Sequence, residues 1–446
     1  MTATAHLGHL RLDELCWRFD IVGAVVGVSI GGEHSVAVHG VAHATNDTAL
    51  TRDTFLMAGS VTKAMTATIV ALLRAKGRLD LDAPVVSVVP EFRVHDEAAT
   101  ASISLRHLLT HTAGFDGDIW PDLGEGDDAI DRLVASLSTC AQLSPPGTGF
   151  SYNNAAYAVL GKVIERVTGQ SFEHALAEHV ATPCGATITT DLARLRGAST
   201  AIGHVVDADG RPQPLATAFG PACLAPAGSR TWSTIDGLLA FGELHLGRHG
   251  TPATHAALRA MREPQIVVDD PNNGGTMALG MFLDDRWGTP VVFHDGGVQG
   301  QSAYLRVLPE LDAVLAVMST GGVPQVFHRH VFAQLAAALP GVAAPLGVVA
   351  DPTCALDPAR YVGRFEASAT RVDVTEIDGS LRAEVVWGHG TDTPVSTGAL
   401  PLSPYSTEVL LAPLDGRDYV LVYPPATRPA DHLLAGLRRL NRVPLA

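Results

Sequence analysis

The segment from Ser60 to Gly77 constrains the fold more than any other part of the chain. Ser60 is followed three residues later by Lys63, and the run from Val61 to Lys76 is apolar nearly all round. A helix of this composition has no polar face to turn toward water, so it is expected at the centre of its domain, with Gly77 suited to end it. On such a helix positions i and i+3 share a face, which places the Lys63 ammonium beside the Ser60 hydroxyl.

Lysine is scarce in this chain, since Lys63, Lys76 and Lys162 are the only lysines among 31 cationic side chains. A lysine can lose its proton and assist a serine that is too weak a nucleophile alone, whereas an arginine guanidinium stays protonated in proteins. The Ser60 and Lys63 pair therefore predicts nucleophilic catalysis. The alternatives are a Ser60 that only caps the helix and a Lys63 that only packs its stem along the surface.

Two more polar motifs follow in chain order. Tyr152–Asn154 opens a helical run that Gly169 closes, and His294–Gly297 comes after an apolar strand. With these motifs the chain resembles the serine penicillin-recognising hydrolases, which include class C β-lactamases, D-Ala-D-Ala carboxypeptidases, esterases and amidases. That family carries Ser-x-x-Lys, Tyr-x-Asn and Lys-Thr-Gly or His-x-Gly in this order. The resemblance covers roughly residues 10 to 345.

The resemblance implies how the reaction would proceed. Ser60 would form an acyl-enzyme, Lys63 would belong to its proton network, and Tyr152 would exchange protons with Ser60 and the leaving group. A phenol near a cation is expected to ionise more easily than a free one. Backbone N–H groups of Ser60 and Gly297 would form the oxyanion hole.

The remaining motif residues are expected around this centre. Asn154 would hydrogen-bond Lys63 and the acyl side chain, an assignment that rests on the family spacing because Asn153 stands beside it. The His294 imidazole would contact Tyr152 from the place where β-lactamases carry lysine. No metal and no cofactor are needed by this mechanism.

Substrate contacts are expected from Asp295, Gly296, Asp116 and Trp120. At the position of Asp295 the penicillin-binding members of the family have a hydroxyl. If this carboxylate faces the cleft, it would repel a free carboxylate and favour neutral acyl donors.

Two histidine-containing clusters are interpreted as structural. His107 and His111 are spaced i, i+4, as metal ligands can be, but apolar neighbours favour a capped turn. Glu243, His245 and His249 lie close to glycines and are interpreted as a solvated helix end.

The charge and composition of the chain limit the kinds of binding partner that are expected. A formal charge of −15 argues against nucleic acid and anionic membrane surfaces. The N-terminal residues lack the cationic start and uninterrupted apolar run of a signal peptide, and no apolar stretch is long enough to span a bilayer. A cytoplasmic protein is therefore expected, with its five scattered cysteines reduced.

The fold class predicted is α/β (α+β) of the β-lactamase and transpeptidase type, with two units. In residues 1–345, an antiparallel sheet is expected from parts near 10–75 and 275–345, and a helical insertion from about 80–270. A hairpin of Ile21–Ile30 and Ser35–Ala42 would start that sheet. After the proline-bounded linker 340–345, residues 352–446 show short strands and resemble a lipocalin-like barrel without catalytic residues of its own.

The expected function is a serine hydrolase or acyltransferase that acts through Ser60 on a small-molecule ester, thioester or amide. One alternative is a penicillin-binding-protein-type thioesterase that releases or cyclises a nonribosomal peptide by amine attack, with a carrier-protein-bound or thioester-linked donor. Others are a β-lactamase or D-amino-acid peptidase, and an inactive binding protein. The sequence does not choose between water and an amine as acceptor.

Overall fold

The computed structural model describes residues 7–207, 209, 211–215, 219–388, 393–414, 416–425 and 429–444, so the start of the first predicted unit and the end of the second lie outside the described residues. Its α-helices are α1 Leu12–Arg18, α2 Val61–Ala75, α3 Glu97–Ser102, α4 Leu105–Leu109, α5 Ala129–Ser136, α6 Asn154–Thr168, α7 Phe172–Leu176, α8 Thr182–Cys184, α9 Ile235–Leu246, α10 Pro252–Ala260, α11 Pro324–Ala336 and α12 Pro358–Tyr361.

The strands fall into a long first set and a shorter second set along the chain. The first comprises β1 Gly23–Ile30, β2 Glu33–His43, β3 Thr48–Ala49, β4 Leu56–Met57, β5 Ile188–Thr189, β6 His204–Val206, β7 Pro212–Pro214, β8 Trp232–Ser233, β9 Ile266–Val267, β10 Thr276–Met277, β11 Phe282–Asp284, β12 Val291–Val298, β13 Gln301–Leu308 and β14 Ala313–Thr320. The second comprises β15 Gly363–Glu366, β16 Thr370–Ile377, β17 Ser380–Trp387, β18 Val395–Pro401, β19 Ser403–Pro404, β20 Val409–Leu414, β21 Arg417–Val422, β22 His432–Ala435 and β23 Arg438–Val443.

The first set is dominated by a nine-stranded antiparallel sheet in the order β3-β2-β1-β14-β13-β12-β11-β10-β9. Its centre joins the start of the chain to residues near 300, since Gly23 lies opposite Thr320 and Ile30 opposite Ala313. The predicted hairpin and strands β12 to β14 thus belong to one sheet, as expected of a sheet built from parts near 10–75 and 275–345. The second set forms a nearly closed antiparallel barrel. Both features confirm the predicted fold class.

Helix α2 lies in the main core, as its apolar circumference predicts. Val61, Ala64, Met65 and Ile69 are fully buried, and Gly77 follows the helix with a left-handed φ of 69°. The core around α2 includes residues of α6, α9 and the sheet. None of the helices in the described ranges has the length and apolar character that a membrane crossing requires.

The barrel rests on the segment that precedes α6. Backbone N–H of Tyr152 donates to Leu437 O at 2.9 Å, and Arg439 N donates to the Ser151 hydroxyl at 3.1 Å. The short strands predicted for residues 352–446 are present, as β15 to β23. The proposed division at 345 and 352 stays a prediction.

Two sequence interpretations are corrected here. Glu243 and His245 are buried rather than solvated: the Glu243 carboxylate accepts from Ser29 Oγ at 2.5 Å and contacts His34 Nε2 at 2.9 Å. Burial would raise the pKa of Glu243, but these contacts outweigh it and lower the pKa to about 2. In addition, residues 294–297 do not follow a strand but continue β12, which runs to Val298.

Gly161 sets how closely α6 approaches the short 3-10 helix Ala222–Ala227. A Cβ at Gly161 would lie 2.2 Å from Pro226 Cγ, far inside van der Waals contact. The carbonyl of Pro226 accepts from Thr66 Oγ1 of α2 at 2.8 Å, so the 3-10 helix packs against α6 on one side and is bonded to α2 on the other. The glycine therefore serves close packing rather than a turn.

We expect Gly161→Ala to destabilise the protein by about 1–3 kcal/mol through overpacking, although alanine favours a helix interior by about 1 kcal/mol over glycine. Urea unfolding monitored by circular dichroism measures the difference. Gly275→Ala is the matched control, because a Cβ there meets no atom within 4 Å. Equal stability of Gly161→Ala and wild type would contradict the packing argument.

Candidate active site

Ser60 stands at the first turn of α2, directly after Gly59. Gly59 has a left-handed φ of 51°, and a Cβ there would lie 2.9 Å from Gly297 N, so a side chain would collide with β12. The Ser60 side chain makes no cap hydrogen bond to α2. Its Oγ instead accepts from Lys63 Nζ at 3.0 Å. The hydroxyl and amine are therefore paired as the i, i+3 spacing predicts, and the capping alternative is wrong.

Lys63 is completely buried, which excludes the surface alternative. Besides Ser60, its Nζ donates to Ala227 O at 2.7 Å. Burial lowers the pKa of Lys63 well below its usual value, and the nearby Arg438 cation lowers it further, while Asp118 opposes the shift. A lysine in this environment gives up its proton more readily than a free lysine and can then accept one from a neighbouring hydroxyl.

Tyr152 lies over the same amine, with its ring centroid 4.9 Å from Lys63 Nζ. Burial raises the pKa of Tyr152, and a hydrogen bond with Ser60 and the charge of Arg438 offset only part of this rise. The neighbouring cation does ease ionisation of this phenol, but burial outweighs it, so Tyr152 does not ionise more easily than a free phenol. Tyr152 keeps its proton and can hand it on only in exchange for another.

The two adjacent asparagines have different tasks. Asn153 Oδ1 accepts from Ala156 N at 2.8 Å and caps α6. Asn154 Nδ2 donates to Asp118 Oδ1 at 2.7 Å, and no described hydrogen bond joins it to Lys63. The predicted assignment of Asn154 to the site agrees with its position, but its partner is a carboxylate that the sequence analysis did not single out.

Asp118 also binds a residue of the barrel, Arg438, whose Nε donates to Asp118 Oδ2 at 2.8 Å. The Arg438 guanidinium lies 4.9 Å from the centroid of the Tyr152 ring. The barrel thus brings a cation next to Lys63 and Tyr152, although the sequence predicted no catalytic residue in it. The sequence carries no signal for this contact, since the pair is 320 residues apart and Arg438 stands among several arginines.

His294 lies on β12 and is 1% exposed. Its Nδ1 is 2.8 Å from Asp295 O, so Nδ1 carries the hydrogen and Nε2 the lone pair. Burial lowers the pKa of His294 to about 4, and the Lys63 charge contributes to the shift. His294 is therefore a neutral imidazole at neutral pH, unlike the lysine that β-lactamases carry there.

Asp295 lines a cavity together with Gly296 and Gly297, but its charge is compensated. Arg306 holds it through both terminal nitrogens, and the guanidinium lies between the rings of Phe293 and Phe332 at 4.4 and 4.8 Å. Burial would raise the pKa of Asp295, but Arg306 and then His328 outweigh it and lower the pKa. The expected repulsion of a free carboxylate is therefore greatly weakened.

Gly296 and Gly297 let β12 approach the nucleophile. A Cβ at Gly296 would lie 2.8 Å from Ser60 N, whereas one at Gly297 would meet open space. The backbones of Ser60 and Gly297 thus come together next to the cavity. The assignment of the Ser60 and Gly297 N–H groups to an oxyanion hole stays a prediction.

A cavity of about 460 Å³ opens at these glycines and lies between the main sheet and the barrel. Its wall includes Asp118, Tyr304, His328, Arg329, Arg417, Tyr419 and Arg438. Neither Asp116 nor Trp120 is among the described lining residues. Asp116 is buried and accepts from Ser368 N at 2.7 Å, so it holds the barrel instead, and Trp120 is about half exposed.

Among the described residues, no group of three or more histidines, cysteines and carboxylates is placed to hold a metal ion. His107 completes a capping box at the start of α4, because Ser104 N donates to His107 Nδ1 at 3.2 Å. The capped-turn interpretation is confirmed for His107. His111 takes no part in this capping box, and its ring stacks on Tyr152 instead.

A serine paired with a buried lysine, set between a helical layer and an antiparallel sheet, defines the serine-hydrolase class of site. The family described as Beta-lactamase matches residues 12–339, well over half of the chain. The chain belongs to this beta-lactamase family, as predicted.

Similar proteins cover different shares of the chain. "Penicillin-binding protein 4" of Amycolatopsis lactamdurans is 33% identical over 80% of this chain and 96% of its own length. "Esterase EstB" of Burkholderia gladioli is 34% identical over 37% of this chain and 46% of its own length. The crystal structure of SurE matches 99% of this chain and 99% of its own, with 25% identity and a TM-score of 0.77. SurE has also been solved with D-Leu. The likeness to SurE therefore includes the barrel.

We predict that the charges of Arg438 and Asp118 move the pH dependence of Ser60 reactivity in opposite directions. If neutral Lys63 is the base, reactivity rises as pH rises through the lysine pKa. Arg438→Gln raises that pKa and shifts the rise to higher pH, by about one unit, and Asp118→Asn shifts it to lower pH. The rate of inactivation by a fluorophosphonate between acid and alkaline pH measures both. Arg438→Lys keeps the charge and is the control, and shifts of equal sign in the two variants would refute the assignment.

Proposed function

We propose that Ser60 accepts an acyl group from a thioester or ester-activated peptide and passes it to an amine of the same peptide. In the first half-reaction Ser60 Oγ attacks the carbonyl carbon, the acyl–O bond forms, and the acyl–S or acyl–O bond of the donor breaks. The leaving group departs with a proton. In the second half-reaction the amine nitrogen attacks the ester carbonyl, the C–N bond forms, the bond between the acyl carbon and Ser60 Oγ breaks, and the proton lost by the amine returns to Ser60.

The proton steps follow from the electrostatics of the site. Neutral Lys63 takes the Ser60 proton through the 3.0 Å contact, and the protonated Tyr152, which is hydrogen-bonded to Ser60, can deliver a proton to the leaving group. The N–H groups of Ser60 and Gly297 would stabilise the oxyanion. His294, neutral beside this centre, adds no positive charge that would compete with Lys63 for the proton.

The proposal of an amine rather than water as acceptor rests on one observation, which is that the barrel contributes residues to the site. Arg438 and Leu437 of the barrel reach Asp118 and Tyr152, and barrel residues line one side of the cavity. A simple hydrolase needs only water on the acyl-enzyme. A cavity of about 460 Å³, with carboxylates and guanidinium groups around it, has room to hold a second part of the substrate near the ester.

The comparisons support a peptide donor. SurE matches both the catalytic part and the barrel and has been solved with D-Leu, and the bacterial relative that spans most of the chain is named a penicillin-binding protein. We therefore expect a donor whose activated residue has the D configuration. Hydrolysis is the second candidate, because Esterase EstB is 34% identical over part of the chain.

We expect Ser60→Ala to abolish covalent labelling by a fluorophosphonate and all turnover, because the hydroxyl carries the acyl group. Lys63→Arg should lower labelling at neutral pH nearly as far, since a guanidinium cannot accept the proton. Active-site titration with intact-protein mass spectrometry measures both, and circular dichroism checks the fold. Substantial turnover by Ser60→Ala would exclude the acyl-enzyme, and full activity of Lys63→Arg would exclude a lysine base.

The acceptor is tested with an N-acetylcysteamine thioester of a short peptide that has a free N-terminal amine and a C-terminal D residue. We expect wild type to give the cyclic peptide as the main product, identified by liquid chromatography and mass spectrometry. The N-acetylated thioester is the control, since without the amine only hydrolysis remains. Release of linear acid alone from the free-amine substrate would assign the protein to the hydrolases instead.

A further inference from the structure

His111 holds the segment that carries Tyr152 by three contacts to three consecutive residues. Its carbonyl accepts from Ser151 N at 2.9 Å, its Nδ1 accepts from Asn153 N at 3.0 Å, and its ring stacks on Tyr152 with centroids 4.3 Å apart. The backbone of His111 adopts a left-handed φ of 57°, which is uncommon for a residue with a side chain. The backbone is thus in an unfavourable conformation at the residue whose imidazole stacks on Tyr152.

These contacts determine which nitrogen of His111 carries the hydrogen. Nδ1 accepts the Asn153 N–H, so Nε2 is the N–H donor of the neutral ring. His111 is completely buried, and its Nε2 has no partner in the described part of the chain. A buried donor without an acceptor is rare and asks for an explanation.

His294 has the opposite arrangement. Its Nδ1–H donates to Asp295 O, which leaves Nε2 as an acceptor, and this Nε2 is also buried without a described partner. Both histidines belong to one cluster of rings: His111 contacts Phe150, Phe150 contacts Phe282 and Phe282 contacts His294, with centroids 5.7, 6.3 and 5.6 Å apart. An unpartnered donor and an unpartnered acceptor therefore lie in the same buried cluster behind Tyr152.

The charges around the cluster favour two neutral rings. Burial lowers the pKa of both histidines, and Lys63 adds to the effect on each, while the pKa of His111 is lowered further by His294. Arg438 and Arg306 are the other cations in reach, and Asp295 is the carboxylate that opposes them at His294. Two neutral imidazoles can be linked by a hydrogen bond only if one ring offers an N–H and the other a lone pair. The free Nε2 atoms of His111 and His294 meet this condition.

We propose that His111 and His294 form a neutral pair, in which Nε2–H of His111 donates through one internal water molecule to Nε2 of His294, and that this pair positions Tyr152. A water molecule is invoked because neither Nε2 has a protein partner within hydrogen-bonding distance in the described part of the chain, and a buried donor and a buried acceptor can both be satisfied by one water. His111 and His294 are positioning residues in this arrangement, not groups that touch the substrate. The expected effect of this pair on the reaction rate rests on the proposed function, whereas the pairing of the two histidines does not.

The pairing is tested by long-range ¹H–¹⁵N NMR of the full-length protein labelled at histidine nitrogens, with signals assigned from those lost in His111→Phe and His294→Gln. We expect His111 as the Nε2–H tautomer and His294 as the Nδ1–H tautomer at neutral pH. Each substitution should also shift the ring nitrogens of the other histidine. His107→Phe, which disturbs the nearby capping box, is the control and should leave the His294 signals in place.

Unchanged His294 signals in His111→Phe, or the opposite tautomer at either ring, would overturn the proposal. If one variant does not fold, the other and the wild-type tautomers still decide it. For activity, His111→Phe should lower kcat about tenfold with KM unchanged, and the double variant should be no slower than the slower single variant. Additive losses would refute coupling, while absence of turnover in wild type would count against the proposed function alone.

Discussion

The burial of the Lys63 amine is the constraint on which the rest of the site depends. A cation without a carboxylate in contact is costly to bury, so the side chain gains by releasing its proton. Its hydrogen bonds go to Ser60 Oγ and Ala227 O, and the adjacent charge of Arg438 acts in the same direction. The apolar helix α2 creates this environment, because its burial carries the lysine into the core.

The barrel takes part in this electrostatic balance. Arg438 would disfavour a protonated Lys63, yet Asp118 compensates the guanidinium and also fixes Asn154. The carbonyl of Leu437 meanwhile holds the backbone of Tyr152. The two sheets thus meet at the point where the proposed reaction takes place, so the relative position of core and barrel bears directly on the pKa of the proposed base.

Much of the fold was predictable because it depends on local patterns. The apolar run of α2 and the strands on either side of Gly31 predict buried elements from their residue types alone. Gly77 and Gly169 predict helix ends, and both adopt the left-handed conformation there. Long-range partners were not predictable in this way. Asp116 and Asp118 are equivalent in sequence, but one accepts from the barrel backbone and the other from Arg438 and Asn154.

By itself the sequence determined the nucleophile and lysine pair, the order of the three motifs and the class of fold, since spacing along a helix and turn chemistry are local properties. Only the tertiary structure decided that Asp295 is neutralised by Arg306, that Tyr152 stays protonated, and that Arg438 reaches the site. Charge and protonation depend on every group within a few ångströms, whatever its place in the chain. Those distances exist only after the sheets and helices have packed.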